Sequence, residues 1–233
     1  HAMQIKKVAE AIMSARSPVI CAGGGVINAN ASEALIRLAE KCRIPVITTL
    51  MGIGSIPSSH ELYFGMVGTH GSYAANHAVH NADLLIIIGA RVGDRALGTA
   101  GKIAQKARIV HIDIDPAEIG KNIGVSIPVV GHAALILEDI LKLVEERSGR
   151  EGWVETLKKH HQSNSRRIWD ENDSTSVSPK YVMWQLSQLI DDNAIVTTEV
   201  GQNQIWAANH LEVKKPRTFI TSGGLGTMGY GLP

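Results

Sequence analysis

The chain lacks most features that mark secreted, metal-binding or nucleic-acid-binding proteins. It has only two cysteines, Cys21 and Cys42, which form no CxxC pattern. They offer no metal site and suit a reducing, cytoplasmic compartment. The formal net charge is +1, so no overall field favours nucleic acid or an anionic membrane surface. None of the ten histidines shows a zinc spacing such as HExxH.

Long apolar segments are also missing. No apolar run reaches the roughly 18 residues that a membrane span requires. The chain begins with an expected amphipathic helix at Met3 rather than with the apolar core of a signal peptide. We therefore expect no membrane partner. Apolar residues nevertheless make up 44% of the 233 residues, which permits a sizeable buried core and argues against extended disorder.

What the sequence does contain is a regular alternation of apolar runs and amphipathic segments. The patterns predict strands at 18–22, 45–49, 84–88, 107–112 and 126–130, and helices at 4–16, 31–41, 72–81, 97–106 and 133–146. Residues 53–69 are predicted to be irregular. Strands that alternate with helices predict an α/β fold with a doubly wound parallel sheet.

The strand predicted at 84–88 is central to this pattern, because its wholly apolar sequence suits a strand buried on both faces. Gly89 ends it, and Arg91, Asp94 and Arg95 follow at once. Ligands of open α/β sheets bind outside the carboxyl ends of the strands. These charged residues are therefore expected at a ligand crevice. The alternative is a buried strand followed by a polar surface loop.

The loops after the other predicted strands are also typical of a ligand-binding edge. Residues 23–25 are three glycines that would let a ligand approach the backbone, although they do not form the GxGxxG fingerprint. Asp113 could accept hydrogen bonds from a ribose, whereas Asp115 suits the N-cap of a helix that begins at Pro116. Together these loops predict an elongated ligand such as a dinucleotide.

A second, shorter α/β unit is predicted after a polar segment. We expect a nucleotide-binding domain at 4–148, a helical and linker segment at 149–178, and an incomplete domain at 179–233. In the last unit the patterns predict helices at 179–189 and 202–210, strands at 194–198 and 218–221, and a helix opened by the glycines of 223–229.

Several phrases, in this order, resemble one enzyme family. Residues 197–208, TTEVGQNQIWAA, and 216–233, PRTFITSGGLGTMGYGLP, resemble the catalytic large subunit of acetohydroxyacid synthase, also called acetolactate synthase. GARVGDR and HIDIDPAEIGKN fit the central domain of the same family. The resemblance implies three α/β domains: the first supplies a catalytic glutamate, the central one binds FAD, and the last binds thiamine diphosphate through a metal ion. This chain would hold the central domain and the start of the last.

The resemblance implies a transferase that condenses pyruvate with pyruvate or 2-oxobutyrate, with loss of carbon dioxide, in isoleucine and valine biosynthesis. The expected cofactors are FAD in the central domain, and thiamine diphosphate with magnesium in the full-length protein. The expected partners are the 2-oxo acid substrates, further copies of the subunit in a dimer or tetramer, and often a small regulatory subunit. The chain alone is expected to be inactive, because the catalytic glutamate and the metal ligands lie elsewhere.

The resemblance also carries over cofactor contacts residue by residue. The FAD contacts are Gly23, Gly24, Gly25, Thr49, Leu50, Met51, His70, Gly71, Gly89, Arg91, Arg95, Asp113, Ile114, Glu118 and Gly131. The thiamine diphosphate contacts are Gly201, Gln202, Gly226 and Met228, of which the methionine would buttress the bent cofactor. The two arginines suit a pyrophosphate or a polar ring edge. No catalytic or metal-binding residue is carried over.

Three positions depart from the usual motifs of the family. Gly93 in VGDR and His132 after Gly131 each replace a carboxylate, and Asn203 in GQNQ replaces a histidine. A second hypothesis is therefore a related thiamine-diphosphate enzyme, such as a glyoxylate carboligase or a 2-oxo acid decarboxylase. In such enzymes the central domain binds FAD, ADP or nothing. A nucleotide-binding module without catalysis is a third hypothesis, against which the second unit argues.

Overall fold

The first part of the chain forms a six-stranded, wholly parallel sheet in the computed structural model, which describes residues 2–93, 106–165 and 177–232. The strands are β1 Pro18–Ala22, β2 Val46–Thr48, β3 Tyr63–Met66, β4 Leu84–Ile88, β5 Arg108–Asp113 and β6 Ile127–Val130. β1 and β4 are buried along their whole length, because both faces of these apolar strands are covered. The α/β prediction is thereby confirmed.

The strand order is β3-β2-β1-β4-β5-β6, with β1 and β4 at the centre. The chain runs from β1 outward to β3, returns to β4 beside β1, and then runs outward to β6. This doubly wound order places the reversal of direction, and hence the expected ligand crevice, between β1 and β4. The two strands pair in register from Pro18 with Leu84 to Ala22 with Ile88.

Six α-helices accompany this sheet in the described part of the chain, and a 3-10 helix, Leu50–Gly52, follows β2. The α-helices are α1 Ala2–Ser14, α2 Gly24–Asn28, α3 Ser32–Cys42, α4 Tyr73–Asn81, α5 Ala133–Leu143 and α6 Glu151–Ser165. Each of α1, α3 and α5 is amphipathic and buries one face. In α5 the buried face includes Ile136, Leu137 and Ile140. α6 also belongs to this core, because Val154 and Leu157 are buried in it.

Three local predictions for the first unit differ from the structure or lie outside it. β3 occupies a segment predicted to be irregular. Asp115 caps a turn rather than a helix: its carboxylate accepts a hydrogen bond from the Ala117 N–H at 2.9 Å, and turns follow. Asp94, Arg95 and nearly all of the helix predicted at 97–106 lie outside the described residues.

The second unit consists of α7 Pro179–Leu189, β7 Val196–Thr197, α8 Gln202–His210 and β8 Phe219–Ile220. β7 and β8 form a two-stranded parallel sheet. The glycine-rich stretch 223–229 forms bends and turns, and the helix predicted to start from it is not found in the described residues up to 232. No helix in the described ranges is long and apolar enough to cross a membrane.

The second unit packs against the loops that follow β2. The Ser58 N–H donates to the Val213 carbonyl at 2.8 Å, and the Val213 N–H donates to Ser58 Oγ at 3.1 Å. A small buried apolar cluster joins residues of both units, namely Ile53, Met66, Ala208, Leu211 and Val213. The carboxyl edge of the large sheet therefore lies next to the second unit.

Candidate functional site

The predicted ligand loops gather along the carboxyl edge of the six-stranded sheet. The backbone N–H that follows a strand donates to one of the last two carbonyls of the neighbouring strand. The bonds run from Thr49 to Ala22 at 3.0 Å, from Gly23 to Ile88 at 2.9 Å, from Gly89 to Ile112 at 2.8 Å and from Gly131 to Asp113 at 2.8 Å. This ladder continues the sheet by one residue. It brings the loops together on one side of the molecule.

Glycine is required where the loops after β1 and β4 meet. The Gly25 N–H donates to the Gly89 carbonyl at 2.9 Å. A methyl group added at Gly23 would lie 2.2 Å from the Gly89 carbonyl oxygen, and one added at Gly25 would lie 2.6 Å from Gly89 Cα. The loops therefore close directly on each other. A ligand can lie over them but not between them, and packing alone accounts for these glycines.

The surface over these loops mixes apolar and charged groups. Met51 is 48% exposed and Ile114 is 69% exposed. Arg91 and His70 are exposed as well, and Gly24 is partly exposed beside Met51. Such a rim offers apolar faces for a ring and a permanently charged guanidinium for an anionic group.

Both acidic residues that the resemblance assigns to FAD form contacts within the protein. Asp113 Oδ1 accepts the Asp115 N–H at 3.0 Å, and Glu118 forms an ion pair with Lys121 at 2.9 Å. His111 is buried beneath this edge, with Nε2 3.2 Å from the Ala90 carbonyl oxygen. Burial lowers the pKa of His111, and the Ala90 carbonyl partly offsets this effect. Its neutral ring therefore supports the loop after β4.

Three residues that the resemblance assigns to FAD also have structural contacts, of which that of His70 is made by its backbone carbonyl. A methyl group added at Gly71 would lie 2.3 Å from the Met66 carbonyl oxygen, so a tight turn requires glycine there. The His70 carbonyl accepts a hydrogen bond from Asn209 Nδ2 at 2.9 Å. Leu50 packs against the apolar cluster shared by the two units. The loops after β2 and β3 thus hold the second unit.

The four residues expected to contact thiamine diphosphate lie at the carboxyl end of the small sheet. Gly201, with φ +130°, precedes α8, and Gln202 is the first residue of that helix. Gly226, with φ +65°, lies beside Val200: a methyl group added there would be 3.9 Å from Val200 Cγ1. Met228 is 80% exposed.

Glu199, in the phrase TTEVGQNQIWAA, is a further residue of this second edge, to which the family resemblance gave no role. Its carboxylate accepts the Gly229 N–H at 2.7 Å and the Gly231 N–H at 2.8 Å. These backbone hydrogen bonds, first that of Gly231 and then that of Gly229, hold the pKa of Glu199 below its ordinary value. No sequence spacing signals such a contact, because its partners follow some 30 residues later.

The two edges adjoin each other through Met51. A methyl group added at Gly223 would lie 2.5 Å from Met51 Sδ, so the second glycine-rich loop rests on this side chain. Arg217 adds a second link: its Nη2 donates to the Ile27 carbonyl at 3.1 Å and to Asn30 Oδ1 at 3.0 Å.

Other parts of the described molecule are weaker candidates for a binding site. A surface cavity of about 640 Å³ lies between α3 and α5, far from both edges, and is lined largely by paired charges such as Arg37 and Glu138. Among the residues that the structure describes, no group of three or more His, Cys, Asp or Glu side chains could hold a metal ion.

Comparison with known proteins defines the class. Residues 5–140 match the family described as thiamine pyrophosphate enzyme, central domain, and residues 199–233 match the C-terminal TPP-binding domain of the same enzymes. The chain therefore belongs to the thiamine pyrophosphate, or thiamine diphosphate, enzyme family.

The curated relatives are more specific. The chain is 46% identical to a probable acetolactate synthase large subunit of Methanocaldococcus jannaschii, with 100% of the chain and 40% of the relative covered. It is 44% identical to the acetolactate synthase large subunit of Corynebacterium glutamicum, covering 38% of it, and 40% identical to that of Haemophilus influenzae, covering 41%. The expected resemblance is confirmed, and the chain spans about 40% of the length of these relatives.

Proposed function

We propose that the chain is part of an acetolactate synthase that depends on thiamine diphosphate. The full-length protein would condense pyruvate with pyruvate or 2-oxobutyrate, releasing carbon dioxide, in the biosynthesis of branched-chain amino acids. The observation that carries this proposal is the match of the whole chain to acetolactate synthase large subunits. The division into units at 4–148, 149–178 and 179–233 is part of the same proposal.

FAD is the ligand proposed for the carboxyl edge of the large sheet. Support comes from the reversal of strand order between β1 and β4 and from the loops gathered above it. The Arg91 guanidinium is available for the pyrophosphate, while Met51 and Ile114 offer exposed apolar surface for a ring. Because the loops close on each other at Gly25 and Gly89, the flavin would lie across their outer surface.

Thiamine diphosphate is proposed for the edge that carries Gly201, Gln202, Gly226 and Met228. When bound, this cofactor supplies the electron sink for the loss of carbon dioxide. The protein would orient this cofactor, and the exposed Met228 side chain offers a polarisable apolar contact for it. The flexible glycine backbone around Gly226 permits close approach. Magnesium ligands and the catalytic glutamate would come from other parts of the full-length protein.

The assembly and location are proposals too. By analogy with the family, we propose a homodimer or homotetramer, a small regulatory subunit as a further partner, and a cytoplasmic location. Apolar side chains of the second unit such as Leu189 and Leu225 are 81% and 95% exposed. Surfaces of this kind favour association with further protein.

The proposal is tested by assaying the full-length protein that contains this chain with FAD, thiamine diphosphate and Mg²⁺. We expect acetolactate from pyruvate. Formation of a carboligation product from glyoxylate alone, or release of free aldehyde from a 2-oxo acid, would replace the proposal by a glyoxylate carboligase or a decarboxylase. Gly93, His132 and Asn203, which depart from the family motifs, give these alternatives their support. The 233-residue chain by itself should form no acetolactate.

Two exposed methionines provide a matched pair for the cofactor edge. Met228→Ala should lower kcat/KM of the full-length protein by about tenfold or more, because a misplaced cofactor loses reactive geometry. Met3→Ala removes a side chain of similar exposure, 73% against 80%, from α1 of the first unit, and should leave kcat/KM unchanged. Equal activities of the two variants would argue against this location of the thiamine diphosphate site.

A further inference from the structure

The glycine-rich loop, defined as residues 222–232, gains little from its own packing. Five of its eleven residues are glycine. Its large apolar side chains Leu225, Met228 and Leu232 are 95%, 80% and 88% exposed. Gly226 and Gly229 have φ of +65° and +78°, in the left-handed region. Burial therefore does not fix the conformation of this loop, and polar contacts must do so.

The carboxylate of Glu199 supplies two of these contacts. Each of its two oxygens accepts one backbone N–H of the loop: Oε2 from Gly229 at 2.7 Å and Oε1 from Gly231 at 2.8 Å. Both distances are short, as is usual when the acceptor is ionised. Met228 precedes Gly229 directly, so the position of its backbone follows from the hydrogen bond to Glu199.

The fit of Gly231 gives a second, independent observation. A methyl group added at Gly231 would lie 2.9 Å from the Glu199 backbone nitrogen and 2.9 Å from the carbonyl carbon of Thr198. The Thr197 hydroxyl donates to the Gly231 carbonyl at 2.7 Å. The loop backbone is therefore seated directly on the end of β7.

We propose that Glu199 is a positioning residue, whose carboxylate fixes the glycine-rich loop and thereby holds Met228 at the thiamine diphosphate site. The part that concerns the cofactor rests on the proposed function. Glu199 itself has no role in the chemistry here, because both of its oxygens are bonded to the loop. Its effect reaches the cofactor through the backbone of Gly229.

The ionised form of Glu199 is the form that fixes the loop. Backbone N–H groups bond the carboxylate better than the neutral acid, which lowers the pKa of this group. The ordered loop should therefore persist above the ordinary glutamate pKa of about 4.3. It should loosen only as the pH falls through the lowered pKa of the folded state.

Amide exchange of the 233-residue chain tests the first half of the proposal. Glu199→Gln keeps the shape of the side chain but loses its charge, and protection of the Gly229 and Gly231 amides should fall about tenfold or more. Asp192→Asn is the matched control, because it removes an exposed carboxylate of the same unit that pairs with Lys214 at 2.6 Å. In the control both glycine amides should keep their protection.

The pH dependence separates positioning from a general loss of structure. The Gly229 and Gly231 amide shifts of the unmodified chain should titrate together below the ordinary glutamate range, and this titration should vanish in Glu199→Gln. Unchanged protection in Glu199→Gln, or a titration that survives the substitution, would overturn the proposal.

The cofactor half is read from the Met228 methyl resonance of the full-length protein on addition of thiamine diphosphate and Mg²⁺. A shift that Glu199→Gln reduces and Asp192→Asn retains supports the proposal. An equal shift in both variants overturns it. If the unmodified protein shows no shift although the glycine amides depend on Glu199, the proposed cofactor site fails, and the role of Glu199 toward the cofactor fails with it.

Discussion

Replacing Arg150 with methionine would test how the helices of the first unit are held to its sheet. Arg150 is 1% exposed, just before α6 begins. Its guanidinium donates to the carbonyls of Ile12, Ala15 and Cys42, with a distance of 3.0 Å from Nη2 to the Ala15 oxygen. These carbonyls lie at the carboxyl ends of α1 and α3, where helix carbonyls have no partner within the helix. One cation therefore satisfies the ends of two helices.

The loss of stability expected from Arg150→Met follows from the three carbonyls that would lose their hydrogen-bond donor. A buried acceptor that loses its partner costs about 1–3 kcal/mol. Methionine keeps much of the apolar stem and removes the cost of burying a charge, which offsets part of the loss. We therefore expect Arg150→Met to lower the free energy of unfolding by about 3–5 kcal/mol. For a chain of this size that corresponds to a drop in Tm of about 6–20 °C.

Urea unfolding followed by circular dichroism provides the measurement. The control is Lys142→Met, which removes an equally charged side chain that is 71% exposed and pairs only with the nearby Asp139 in the contacts of the described chain. It should change the free energy of unfolding by less than about 0.5 kcal/mol. Equal stability of Arg150→Met and the unmodified chain would refute the argument, since the bonds of the guanidinium would then only balance its burial.

Three further predictions concern other parts of the molecule. Burial lowers the pKa of His77, and two neighbouring histidines lower it further. The folded state therefore binds fewer protons than the unfolded state, so Tm should fall as the pH drops below about 6.5. His77→Gln should reduce this pH dependence in a thermal melt. Gly25→Ala should lower the free energy of unfolding by about 1–3 kcal/mol, because the added methyl group would overlap the backbone of Gly89. Gly152→Ala is the control: its methyl group would enter open space on a helix, and it should raise the free energy of unfolding by about 0.5–1 kcal/mol in the same urea assay. Burial raises the pKa of the Cys21 thiol to about 12, so this thiol should react with a thiol reagent only after denaturation.

The strands that were predicted correctly share one physical feature. β1 and β4 are apolar runs with both faces buried, bounded by turn-forming residues, and their predicted limits agree with the structure. β3 has no such pattern: it lies at the sheet edge with alternate burial, and Gly65 at its centre has φ +96°. Pairing with β2 makes it a strand, and a sequence pattern cannot show that pairing.

Long-range contacts account for two residues that sequence patterns missed, Arg150 in the core of the first unit and Glu199 at the candidate site. Arg150 lies in a polar segment, and its burial depends on two helix ends more than 100 residues earlier in the chain. Glu199 depends on backbone groups of a later loop. The gathering of the carboxyl-edge loops could be predicted, because strands that alternate with helices form a parallel sheet whose carboxyl ends share one edge. That Gly23 and Gly25 pack directly on Gly89 could not.

Flavin retention by the 233-residue chain tests whether the loops on the carboxyl edge of the large sheet bind an adenine-containing cofactor. After incubation with FAD and desalting, we expect visible flavin absorbance that elutes with the protein. Arg91→Ala should weaken this retention, whereas Lys142→Ala should not affect it. A colourless protein with the circular dichroism spectrum of the folded chain would contradict the claim for FAD and leave this edge to ADP or to no ligand.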